Sequence, residues 1–172
     1  MEGNQPKIGK FSLNYGLILG AIGVVFGVML YLQDMHTSQS PVIMVIGLVL
    51  AAAVTYFGIT NFKKQNDGIL SLGQAVKIGA GIALVAGIIS VLYNIVLVEA
   101  IDVNAKSDIM DARLGPALES GEITQEQFDL QKEQSIQFWW MSYPFIIIIN
   151  VLIGLVFGLI FGLIFKKAKP AY

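Results

Sequence analysis

Three asparagines stand inside long apolar runs, at Asn14, Asn94 and Asn150. A carboxamide in hydrocarbon must find a hydrogen-bond partner, so such a residue either lines a polar pathway or ties helices together. Their depths separate them. At a rise of ~1.5 Å per residue, Asn150 lies roughly 16 Å below one membrane surface, Asn94 roughly 6 Å below the same surface, and Asn14 roughly 5 Å from the other. They do not converge on one site. Interhelical hydrogen bonds worth ~0.6–2 kcal/mol account for Asn94 and Asn150, with Thr55 the closest match in depth to Asn150.

The remaining chemistry-bearing residues lie outside the runs. No Asp, Glu, Arg or His falls at the centre of any of them, whereas proton relays, ion-coupled carriers and voltage sensors usually carry such groups there. The sole histidine, His36, stands beside Asp34 and Met35 in a short connection. One imidazole and one carboxylate make at most part of a metal site, and His36 reads as a solvated loop residue. Lys77, just inside the third run, can carry its ammonium back to the headgroups on its long stem, which makes it an interfacial anchor. Cysteine is absent, which rules out disulfides, iron–sulfur clusters, thiolate zinc sites and cysteine nucleophiles. No catalytic, cofactor-binding or metal-binding residue is assigned. The chain is expected to be no enzyme and to need no cofactor.

These residues are positioned by four apolar runs, at about 11–32, 41–60, 72–98 and 139–165. Each has the ~20 apolar residues that a helix needs to cross a bilayer. The 172 residues are 55% hydrophobic and 13% charged, with a mean hydropathy of +0.70, against about 25% charged in soluble domains. The reading is an all-α membrane protein, a single domain of four transmembrane helices with an extracytoplasmic helical hairpin, residues 99–138, between helices three and four.

Lysine placement orients it. Lys7, Lys10, Lys63, Lys64, Lys77, Lys166, Lys167 and Lys169 fall on one side, while 33–40 on the other side has no Lys or Arg. By the positive-inside rule both termini are cytoplasmic. The first run exceeds the ~7–15 residues of a signal-peptide core and is expected to stay as an anchor.

Every run carries small residues at helical spacing. The first has Gly16, Gly20, Gly23 and Gly27; the second Gly47, Ala51 and Thr55; the third Gly79, Ala83 and Gly87, continued by Ser90 and Asn94; the fourth Asn150, Gly154, Gly158 and Gly162. In lipid, helices associate through close backbone approach and hydrogen bonds, so these seams predict a compact four-helix bundle. The alternative is that a glycine face of the first or last helix meets another subunit.

Between the third and fourth runs, Ser107 is expected to cap a first short helix that Gly115-Pro116 bends or splits. Thr124 with Gln127 matches a capping box that starts a second. This segment is acidic, holding Glu99, Asp102, Asp108, Asp111, Glu119, Glu122, Glu126, Asp129 and Glu133 against Lys106, Arg113 and Lys132. The run Gly121–Glu126 looks like the end of a calcium loop, but Pro116, Leu118 and Ser120 occupy the positions of the first ligands and Gln127 that of the bidentate Glu, so calcium binding by that mode is not expected. Trp139, Trp140 and Tyr143 mark headgroup level as interfacial anchors, and Pro144 predicts a kink near Trp140–Pro144.

The stretch Gly73-Gln74-Ala75-Val76-Lys77-Ile78-Gly79 opening the third run, with Tyr93-Asn94, the acidic loop and the glycine-rich last run, resembles the bacterial membrane proteins grouped as domain-of-unknown-function family 4199. The resemblance spans about Tyr15 to Lys167 and implies a four-helix protein of the bacterial inner membrane. It implies no activity, cofactor or catalytic residue. The expected function is that of a non-enzymatic accessory or partner-binding membrane protein. The alternative is a small permease or channel subunit acting as an oligomer, with Asn150 and Thr55 lining its path. Membrane lipid is the expected surrounding; a protein partner or a homo-oligomer is the further partner class, and no nucleic acid is expected.

Overall fold

The computed structural model describes residues 6–167, so Lys169 and the other terminal residues lie outside the described part. The described chain is helical: α1 (Ile8–Leu32), α2 (Pro41–Gln65), α3 (Leu72–Val96), α4 (Ala105–Glu119), α5 (Gln125–Gln137) and α6 (Ser142–Phe165). Four segments, Ile8–Leu32, Pro41–Gln65, Leu72–Ile101 and Trp139–Phe165, are long and apolar enough to cross a membrane. This is a multi-pass membrane protein.

Local chemistry sets the helix ends. Pro41 occupies the first turn of α2, where its missing N–H has no intrahelical partner to lose. Lys63 and Lys64 sit in the last turn of α2, against the negative end of its dipole. Asp67 and Gly68 then turn left-handed, at φ 53° and 76°, and the Gly68 N–H returns to the Lys63 carbonyl at 2.9 Å. Ser71 starts α3 with a reciprocal box: its hydroxyl accepts from the Gln74 N–H at 3.2 Å, and the Gln74 side chain accepts from the Ser71 N–H at 2.8 Å. This gives Gln74 a definite role. α5 begins with the same device, made by Thr124 and Gln127.

One expected break is absent and the other begins a few residues early. α4 starts after Asn104 rather than at Ser107 and runs unbroken through Pro116. The residue before a proline is forced out of helix mainly by its own Cβ and N–H. Gly115 has no Cβ, and the helix continues. The turn between α5 and α6 occurs at Phe138 and the 3-10 segment Trp139–Met141. Pro144 lies in the first turn of α6, a place where proline is tolerated rather than a hinge.

α3 is central, packed most extensively on α6 and next on α1. The contact with α6 is backbone on backbone. A Cβ placed on Gly79 would lie 2.9 Å from Gly158 Cα and closer still to the Gly154 carbonyl oxygen. One on Gly158 would lie 2.8 Å from Val76 Cα, and one on Gly162 would lie 2.9 Å from Ala75 Cβ. Gly87 faces Asn150 more loosely, at 3.3 Å to its Cβ.

The α1–α3 contact works differently, because α1 glycines receive side chains. A Cβ on Gly16 would lie 2.5 Å from Val85 Cβ, one on Gly20 2.9 Å from Ile89 Cβ, and one on Gly27 2.6 Å from the Tyr93 ring. Gly81 of α3 reciprocates by receiving Ser12. Gly23 stands apart from the other α1 glycines, since a Cβ there would meet nothing within 4 Å. It falls between the positions met by Ile89 and Tyr93. A helical face fixes direction, and only a facing side chain makes contact.

α2 buries Val54, Thr55, Gly58, Ile59 and Phe62, all in its second half. Gly47 again meets nothing within 4 Å, whereas a Cβ on Gly58 would lie 2.7 Å from Ile82 Cδ1. The core therefore sits at the lysine end, where Phe11, Ile59, Phe62, Leu70, Ile78 and Ile82 cluster. Phe11 meets Phe62 edge to face at 5.3 Å. Leu70 closes this end by exchanging backbone hydrogen bonds of 3.1 and 2.9 Å with Lys167.

Gly79→Ala is expected to lower stability by about 1–3 kcal/mol, the usual cost of overpacking, because backbone cannot move aside as a side chain can. Gly23→Ala should stay within about 0.5 kcal/mol of wild type. Unfolding of both variants in mixed micelles, followed by tryptophan fluorescence, compares them directly.

Candidate functional site

At the end away from the lysines, α3 and α6 separate and leave a cavity of about 370 Å³. Asn94 from α3, Met110 and Arg113 from α4, Ser135 from α5, Trp139 and Ser142 from the α5–α6 junction, and Gln39 from the α1–α2 connection line it. Ile109, Phe138, Met141 and Ile146 complete its lining.

The chain reaches this arrangement through a change in helix geometry. α3 gives way to a π-turn at Leu97–Ile101, with the Asp102 N–H bonded to the Leu97 carbonyl at 2.8 Å. α4 then starts in contact with this turn. α4 and α5 contact each other, tied by an ion pair between Lys132 and Asp111, and Lys106 pairs with Glu99. Ser142 Oγ donates to the Trp139 carbonyl at 2.6 Å, which holds the 3-10 turn.

Two polar atoms at this site are buried without a protein partner, Asn94 Oδ1 and Trp139 Nε1. The first can only accept and the second can only donate. Arg113, unlike the two lysines of its segment, forms no ion pair among the described residues. Both atoms are sealed from the surrounding space, and of these three residues only Arg113 is exposed. Among the described residues no hydrogen bond joins a Ser or Thr hydroxyl to a His, Asp or Glu side chain.

The other sequence candidates lie apart from it. Asn150 donates to the Ile146 carbonyl of its own helix at 2.8 Å, so the expected bond to another helix is not made by its Nδ2. A carbonyl four residues back is always within reach of a short polar side chain. Thr55 is 1% exposed in the core, and Asn14 is exposed on the outside of the bundle. The α1–α2 hydrogen bond runs instead from Asn61 Nδ2 to the Tyr15 hydroxyl, at 2.5 Å. Asn61 escaped notice because α2 continues to Gln65, past the expected end of the run. Lys77 is exposed at the lysine end. Trp140, 62% exposed, faces outward, while its neighbour Trp139 lines the cavity.

His36 is a correction. Rather than standing in solvent, its side chain is only 10% exposed, and its Nε2 lies 2.9 Å from Asp102 Oδ2. Its ring meets Tyr31 edge to face at 5.1 Å. The other oxygen of Asp102 accepts from the Asn104 N–H at 3.2 Å. One carboxylate therefore pins the α1–α2 connection to the α3–α4 junction.

A family model described as Protein of unknown function (DUF4199) matches residues 14–167. No curated protein and no solved structure matches the chain.

Asp102→Ala removes the one partner of a buried imidazole, and a cost of about 1–3 kcal/mol is expected for the group left unsatisfied. Hydrogen exchange at residues 33–40 should accelerate while exchange in α3 and α6 stays slow. His36→Phe keeps the ring against Tyr31 and should perturb the connection less.

Proposed function

The chain belongs to the DUF4199 family, and from that membership and the geometry above we propose that it is a non-enzymatic accessory protein of the bacterial inner membrane. Both termini and the lysine end face the cytoplasm in this reading. α4 and α5 form an extracytoplasmic hairpin that a protein partner meets.

The observation that carries it is α5. This helix is capped at its start by the Thr124–Gln127 box, yet it buries no residue. A well-formed helix that adds nothing to a core presents its surface elsewhere, and here that surface carries Glu126, Asp129 and Glu133. A basic partner surface complements it. The glycine face of α6, the other candidate for a partner, is occupied by α3 through Gly154, Gly158 and Gly162. An oligomeric permease is less well supported, because Asn150 bonds within its own helix and Thr55 is sealed in the core.

Photo-crosslinkers at Glu126 and at Leu159, which is 45% exposed on α6, test the reading in native membranes. A discrete protein adduct is expected at Glu126, lost when Asp129 and Glu133 are reversed to lysine, with lipid adducts alone at Leu159. Only lipid and self adducts at Glu126 would refute the reading. A phosphatase reporter joined after Lys167 should be inactive, and the same reporter inserted at Gly121 active.

A further inference from the structure

We propose that the corner where α2 and α6 end is a binding site for an anionic phospholipid, a glycerophospholipid whose headgroup carries net negative charge. The corner lies at the opposite end of the bundle from the α4–α5 hairpin, and its use does not depend on partner binding.

Two segments distant in sequence meet there. Lys63 and Lys64 lie in the last turn of α2, and Lys166 and Lys167 follow directly on α6. Leu70 exchanges backbone hydrogen bonds of 3.1 and 2.9 Å with Lys167, which ties the end of α6 to the α2–α3 connection. Asn66 keeps that connection folded, its Nδ2 donating to the Ile69 carbonyl at 2.9 Å. Lys63 Nζ stands 6.0 Å from the centre of the Phe165 ring, within reach of a cation–π attraction. The two lysine pairs are thereby held at one corner.

Their charge is not consumed by the protein. None of the four makes an ion pair among the described residues, whereas Lys106 and Lys132 are each held by an acid. Asp67 is the one carboxylate of the α2–α3 connection, and it pairs with no lysine. The C-termini of α2 and α6 add about half a negative charge each, so about two negative charges face four ammonium groups. The positive excess attracts an anion from outside, and an ammonium is a compact charge suited to phosphate.

The surface beside the lysines makes that anion a lipid. Phe157, Phe161 and Phe165 follow one another along α6 with ring centres 6.2 and 6.4 Å apart. Tyr56 of α2 meets the last two edge to face at 5.8 and 5.6 Å. This aromatic seam joins α2 to α6 and leads up to the lysines. Phe57, whose ring lies 5.3 Å from that of Tyr56, is 55% exposed. A soluble anion would use the lysines alone. A phospholipid uses both surfaces, its phosphate among the ammonium groups and an acyl chain along the exposed rings.

Native mass spectrometry of the purified full chain tests this, with phosphatidylglycerol and phosphatidylethanolamine of matched acyl chains added in equal amounts. Under activation that strips annular lipid, the wild type should retain one phosphatidylglycerol, with phosphatidylethanolamine retained about tenfold less. Lys63→Gln with Lys167→Gln should weaken phosphatidylglycerol about 25-fold, since each lysine near an anionic lipid contributes about fivefold. Lys63→Arg with Lys167→Arg keeps the charge and should keep the lipid. Lys7→Gln with Lys10→Gln removes equal charge from the same end, but from α1. Phe62 of α2 turns to α1 while Lys63 turns to α6, so this pair should leave retention within about twofold. Unchanged melting in lipid-free detergent is the accompanying control. Equal retention of the two lipids by the wild type would overturn the proposal, and so would equal loss in the two glutamine pairs, which reduces the site to diffuse attraction. Displacement of the bound lipid by millimolar glycerophosphoglycerol would overturn the lipid assignment in favour of a soluble phosphodiester.

Discussion

Gly79 of α3 lies against the backbone of Gly154 and Gly158 of α6 with no side chain between them. In water such a contact would be one among many, since burial of apolar surface would drive the helices together regardless. In hydrocarbon that force is missing, and association rests on dispersion between closely packed atoms and on the few polar bonds available. A backbone-to-backbone approach brings the most atoms into range. It places α3 firmly on α6, and α3 then presents Val85, Ile89 and Tyr93 to the glycines of α1. The lysine-end core, the Leu70–Lys167 pairing and the level of Trp139 relative to Asn94 all follow from that placement.

The two ends of the bundle are built on different principles. At the lysine end, Phe11, Phe62, Leu70 and Ile78 close the interior with apolar side chains and α2 is held only there. At the far end, connections are polar: His36 with Asp102, Lys106 with Glu99, Lys132 with Asp111. Apolar side chains fill part of this end as well, with Leu97, Val98, Ala105 and Met110 buried beside those bonds.

What was legible in the sequence depended on how local its cause is. The four long helices and the Thr124–Gln127 box follow from composition and from three-residue spacing, and both were readable. Ser71 and Gln74 obey the same three-residue rule, and the box they form lies within the stretch that carries the family resemblance. The glycine stripe of α1 could be assigned a face but not partners: Gly23 shares the stripe without contact, while Gly81 and Gly58, outside the expected seams, are tightly packed. Contacts between distant segments left no local trace. His36 and Asp102 are 66 residues apart, and nothing near either one announces the other. In the sequence Arg113 is one charge among many, and what sets it apart is the pairing of Lys106 and Lys132 with acids.

The cavity lies beyond the close contact that holds the bundle. Contact between α3 and α6 runs from Gly162 against Ala75, through Gly79 against Gly154 and Gly158, to Gly87 against Asn150 at 3.3 Å, and the space lined by Asn94 and Ile146 follows. A long apolar side chain at residue 94 could have filled the gap. The chain has Asn94 there instead, and its Oδ1, like the Trp139 Nε1, has no protein partner. The close contact that replaces the hydrophobic effect inside the membrane thus stops short of the connecting segments, and space remains between them.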